Sequence, residues 1–175
     1  MRGALVSDSQ LFEFESDFVS GLRCIPMAVR LKLDTSGIKL SLEQWSRFTQ
    51  EDRHRLLMTP CAGAAEIEAY RRALVDLVAL RANDVAKPLA DPPCGQWDNR
   101  RQAPAVVVNF ARTVGLCPPT NRQWGALTRL QRFALIKLTR DSHDNVNFVP
   151  AMSEFGLAKP LRSGSDAAAA ARSVQ

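Results

Sequence analysis

One pattern occurs twice in this chain and restricts what it can fold into. Trp45-Ser-Arg-Phe48-Thr49-Gln-Glu-Asp-Arg53-His-Arg-Leu56 aligns with Trp124-Gly-Ala-Leu127-Thr128-Arg-Leu-Gln-Arg132-Phe-Ala-Leu135, 79 residues further on. Trp, an apolar residue, Thr, Arg and Leu recur at the same intervals, the mark of an internal repeat. Upstream, Pro26 and Gly37 lie eleven apart, and so do Pro104 and Gly115. Each unit reads as a Pro-led helix closed by Gly, a loop, a short helix carrying Trp, a Thr turn and a second helix.

Capping chemistry supports the helical reading. Ser41 precedes Gln44, Thr49 precedes Asp52, Thr120 precedes Gln123 and Thr128 precedes Gln131, each by three residues. At that spacing the hydroxyl and the longer side chain each satisfy an orphan amide at a helix start, with Asp52 as a shorter substitute for Gln. Both Trp residues then fall at the fourth helical position, where the ring folds back on Leu40 or Pro119. Val29-Arg-Leu31-Lys-Leu33 alternates like a strand, but its copy, with Val107, Phe110, Ala111 and Val114, keeps helical spacing.

The expected fold is all-α: two divergent helical repeats, 26–82 and 104–157, joined by a Pro-rich linker at 84–103 and packed as one domain over 11–158. Ile67, Tyr70, Leu74, Leu77 and Val78 place one apolar stripe on a long helix at 64–82, expected to fill the groove between the repeats. Trp97 is expected to pin the linker. Phe12 and Phe14 alternate with Glu13 and Glu15, followed by Asp17-Phe18, which suggests a docked extended arm. A last helix starts near Asn147 with Pro150 in its first turn, and Gly156 closes it. Residues 1–10 are expected to be a flexible N-terminus and 159–175 a disordered tail, where five alanines alone make a marginal helix.

Charge narrows the partners. The chain of 175 residues carries a net +5. Residues 10–83 balance ten positive against ten negative charges, whereas 104–158 hold six against three, so the second repeat carries the excess. That is too mild to argue for nucleic acid. A helix-turn-helix is the structural rival, but Leu130, Phe133, Ala134, Leu135, Ile136 and Leu138 make the helix after Thr128 too apolar for a recognition helix. No apolar run spans a membrane and Arg2 opens no secretory segment, so a cytoplasmic protein is expected.

No spacing carries a recognised chemistry. Cys24, Cys61, Cys94 and Cys117 show no CxxC pair. Cys24, Cys61 and His143 make a metal site only if the fold collects them, and free Cys is usually buried. The other histidine is His54. Asp141-Ser142-His143-Asp144-Asn145 suits a turn between helices better than a catalytic set. There is no phosphate loop, HExxH or nucleophile elbow. Arg53 and Arg132, each at the same place on its helix, are expected to brace a neighbouring carbonyl or carboxylate.

Several stretches resemble a known family. Phe12-Glu-Phe-Glu15 with Asp17-Phe18, Leu22-Arg-Cys-Ile-Pro-Met27-Ala-Val-Arg30, Lys32-Leu-Asp34 and Gly37 through Leu42 to Trp45 are similar to the nitrate reductase-associated protein family. So are Gln131-Arg-Phe-Ala-Leu-Ile-Lys-Leu138 and Ser142-His143 with Asn145, Asn147 and Phe148, so the resemblance covers about 11–157. It departs at Ser36, where a Cys is expected before Gly37, and after Lys159. What it implies is a non-enzymatic accessory protein for assimilatory nitrate reductase, with no cofactor or catalytic residue of its own. The alternatives are a carrier or enzyme acting on the reductase's molybdenum cofactor or iron–sulfur cluster, and a nucleic-acid-binding regulator. A helper of this kind acts through its surface. Arg122, Arg129 and Arg140, with the turn bearing Ser142, His143, Asn145 and Asn147, form the expected face toward an acidic patch of the reductase.

Overall fold

The computed structural model describes residues 11–16, 21–90, 95–140 and 143–161, with the backbone alone at 143 and 144. Ser142 and Cys94 lie outside the described residues, as do Asp17-Phe18, residues 1–10 and residues 162–175. Eight α-helices appear among the described residues: α1 (Met27–Ser36), α2 (Leu42–Arg47), α3 (Gln50–Met58), α4 (Ala64–Ala82), α5 (Ala105–Thr113), α6 (Asn121–Ala126), α7 (Arg129–Lys137) and α8 (Phe148–Glu154). The fold is mainly helical, as expected.

Helix starts follow the capping chemistry. Ser41, Thr49, Thr120 and Thr128 cap α2, α3, α6 and α7, and each accepts the amide of the residue three on. The return bonds also form: Gln44, Asp52, Gln123 and Gln131 accept the cap amides at 3.0, 3.1, 2.9 and 2.9 Å. Pro26 and Pro104 sit immediately before α1 and α5. Gly37 and Gly115 follow these helices at φ 68° and 75°, backbone that a side chain would strain.

Trp45 and Trp124 are fully buried. Trp45 donates its indole N–H to the Leu22 carbonyl at 2.8 Å, and Trp124 to that of Asn99 at 2.8 Å. Arg53 Nε donates to Trp45 O at 3.1 Å, and its Nη1 to Leu22 O at 3.2 Å. Arg132 donates to the carbonyls of Trp97 and Leu127. Both arginines therefore tie the end of the Trp helix to the segment lying over the indole, the bracing role expected of them.

The apolar helix α7 is the central element: it packs against α1, α5, α8 and the 3-10 turn Gln96–Asp98. Phe133, Ala134, Leu135 and Leu138 are fully buried there. Trp97, on that turn, stands edge-on to Phe133 with ring centroids 5.1 Å apart, which pins the linker.

Three expectations need correction. The long helix α4 does not fill a groove between two units. It packs on α1 and α2, burying Tyr70, Leu74, Leu77 and Val78, and leaves most of its circumference in solvent. A single apolar stripe is enough for one neighbour, and α7 with its wider apolar face takes the centre. The fold is also not purely helical. The residues after Gly37 form β1 (Ile38–Lys39), which pairs antiparallel with β2 (Lys87–Pro88) in the linker. Finally, the Phe arm is a 3-10 turn at Glu13–Glu15, not extended. Phe12 and Phe14 still face inward, onto Phe155 of the segment after α8. Glu15 accepts the Met27 amide at 2.8 Å and so caps α1, where Pro26 offers no side-chain acceptor. Burial raises the Glu15 pKa despite those backbone bonds.

The chain stays paired beyond α8. Leu116 bridges Pro160, and Leu161 donates to Gly115 O at 2.8 Å. Residues 159–161 of the expected tail thus lie alongside residues 115–117, and the rest of it lies outside the described residues.

Candidate functional site

The turn at Gly37 brings the end of α1, β1 and the first residue of α2 alongside the C-terminal end of α7. A trough of about 550 Å³ opens between them, lined by Ile25, Leu33, Ile38, Leu40, Leu42 and Leu89 together with charged side chains. Among the described residues that line it, those charges are Arg30, Lys39, Lys137, Arg140 and the carboxylate Asp34. Lys137 Nζ pairs with Asp34, and both side chains are mostly buried, at 14% and 9% exposure. That pair joins α1 to α7 across the trough floor. Burial pulls the Lys137 ammonium below its ordinary pKa, and the Asp34 carboxylate only partly offsets this. Arg30 Nε donates to Ile25 O at 3.0 Å, which fixes its stem along the wall. Lys39 and Arg140 are exposed at the rim. Leu42 is 57% exposed, a large apolar side chain on the lip of a cation-rich trough.

The expected docking residues are distributed differently. Arg140 is at this rim. Arg129 starts α7, at the opposite end from Arg140, about 16 Å away at the helical rise per residue. It pairs with Asp98 at 2.7 Å. Arg122 is exposed on the first turn of α6, and Asn145 and Asn147 are partly buried in the 3-10 turn His143–Asn147. Ser142 lies outside the described residues, and of His143 only the backbone is described. Arg129 and Arg140 thus lie toward opposite ends of α7, with Arg122 on α6.

The cysteines go to separate surroundings. Cys24 lines the trough, Cys61 is buried with its thiol toward Lys32 O, and Cys117 has its thiol 3.4 Å from Pro160 O. Among the described residues no group of three His, Cys, Asp or Glu side chains stands in metal-binding proximity.

Sequence reasoning missed Lys39, Leu42, Asp34 and Lys137 as members of one site. One signal was available: Lys137 follows the apolar run at 133–136 in the last turn of its helix and needs a counter-charge if the helix is central. Which carboxylate supplies it is a long-range fact that no spacing encodes.

Fold and surface define a small, mainly helical protein with an open, cation-rimmed trough, and none of its described helices is long and apolar enough to cross a membrane. The chain belongs to the conserved nitrate reductase-associated protein family, whose sequence profile matches residues 11–155. No curated protein and no solved structure matches it.

Proposed function

We propose that this protein is a non-enzymatic accessory factor of assimilatory nitrate reductase, acting in the cytoplasm by docking on the reductase or on its maturing form. Family membership over nearly the whole described chain carries this reading. The surface is consistent with it. A helper that works by contact needs exposed charge and exposed apolar area together, and the rim at Lys39, Leu42 and Arg140 offers both. In this reading the docking surface extends from that rim, lined mostly by the first half of the chain, onto the basic second half. It includes Arg122, Arg129 and Arg140, with Asn145 and Asn147 and the adjoining Ser142 and His143. We also read 26–82 and 104–157 as two divergent copies of one helical unit, flanked by a loose N-terminus and tail.

The test is genetic and enzymatic. Cells lacking this gene should grow normally on ammonium and show reduced nitrate reductase activity on nitrate, at unchanged reductase transcript. Restoring the gene should restore activity. Unchanged reductase activity in the deletion strain would exclude the accessory role.

A further inference from the structure

Going one step beyond the accessory reading and resting on it, we infer that the trough between α1, β1 and α7 is a docking groove for an acidic, amphipathic segment of a partner protein. Three observations point to that occupant. The walls supply apolar surface from Ile25, Leu33, Ile38 and Leu40, and the exposed Leu42 adds more at the lip. That arrangement suits side chains presented by one face of a helix or extended peptide. Lys39 and Arg140 are exposed beside these side chains, and among the described lining residues the one carboxylate, Asp34, is engaged by Lys137. The complementary ligand therefore carries Asp or Glu beside its apolar anchors. Shape excludes deep enclosure: the site is a trough with Leu42 on its lip, whereas small-molecule pockets bury most of their ligand.

Chemistry at the trough floor favours the same ligand. Lys137 is a cation poorly supplied with water, and Asp34 is its counter-charge. A partner carboxylate arriving there adds a second one. Arg140, just beyond the end of α7, reaches the rim as a planar fork suited to a carboxylate.

The experiment uses the full chain and a displayed library of random peptides, so it does not depend on the reductase. Selected peptides should combine Asp or Glu with Leu, Ile or Phe anchors. Binding of a selected peptide, read by fluorescence anisotropy, should weaken as salt is raised. Lys39→Glu with Arg140→Glu should weaken it by about tenfold for each charge reversed. Leu42→Glu, at a site already exposed, should weaken it comparably. All three positions tolerate a polar side chain, so thermal midpoints of both variants should match the parent. Neutral or basic peptides, or binding indifferent to both variants, would overturn the groove. So would the absence of any selected peptide, a trough that takes only a small organic anion such as citrate, or self-association of the chain that both variants abolish. Any of these leaves the deletion-strain result standing. Conversely, unchanged reductase activity in that strain removes the accessory reading while the peptide measurement still reports on the trough.

Discussion

Trp45 and Trp124 hold the same position in their segments, yet the two surroundings differ in depth. Each indole is buried and donates to a backbone carbonyl, and each is braced by an arginine eight residues on. Arg53, however, remains partly exposed, with its guanidinium 5.7 Å from the Trp45 ring centre. Arg132 is 4% exposed, covered by the linker and Trp97. Burial and the neighbouring Arg100 lower its pKa, and Asp98 only partly offsets them. The caps differ as well. Asp52 closes the start of α3 and also binds Arg81 of α4 at 2.9 Å, whereas neutral Gln131 closes the start of α7. One local pattern thus serves a central helix in one half and a peripheral one in the other. What sets the difference is the wider apolar face of α7 together with the segment laid over it, not the shared cap, Trp and Arg.

The largest expected effect falls on the central half. Phe133→Ala should cost about 3–5 kcal/mol, since the ring is fully buried against Trp97. Denaturant unfolding that shows a loss below about 1 kcal/mol would mean that α7 is not the core element described.

Next come the two braces. Arg132→Met keeps the stem but leaves the Trp97 and Leu127 carbonyls buried and unpaired, so it should cost about 2–3 kcal/mol. Arg53→Met, where water can replace the guanidinium, should cost about 1 kcal/mol or less. Equal costs in denaturant titrations of the two variants would erase the contrast in depth.

The smallest effect concerns acid. Burial works against the Asp52 carboxylate, but Thr49 and Arg81 outweigh it and hold its pKa below the ordinary 3.8. A depressed folded-state pKa contributes stability above the unfolded value, lost as pH falls through the folded one. Stability should therefore decline on acidification below the ordinary Asp range, and Asp52→Asn should flatten part of that decline. The variant itself should cost less than about 1 kcal/mol at neutral pH. Hydrogen exchange should show α3 loosening in acid before α7, whose cap does not titrate. Identical acid limbs in parent and variant would remove Asp52 from the account.

Much of this was legible because it is local. A hydroxyl three residues before a Gln or Asp side chain satisfies two amides at a helix start locally, so the four caps at Ser41, Thr49, Thr120 and Thr128 follow from spacing. The burial of Trp45 and Trp124 and the apolar centre at α7 follow from recurrence and composition. The β1–β2 ladder was not legible, since two-residue strands have no period to detect. Nor was the role of Glu15, whose carboxylate reaches a helix twelve residues away. The stripe of α4 was legible but its neighbours were not, because an apolar stripe says that a partner exists without saying which. The trough escaped for the same reason: Asp34 and Lys137 meet only after the chain has folded.

The central claim is that the working surface includes the basic face of the second half, which meets the trough at Arg140. One comparison in a strain lacking the gene tests it directly. Arg122→Glu with Arg140→Glu reverses two exposed charges on that side. Arg47→Glu with Arg72→Glu reverses two on the first, where each arginine makes only a long, solvent-exposed pair with Glu43 or Glu68. Both proteins should accumulate at parental levels. The account predicts that the first variant fails to restore nitrate reductase activity and the second restores it fully. Equal restoration by both, or loss with the first-half variant alone, would contradict it.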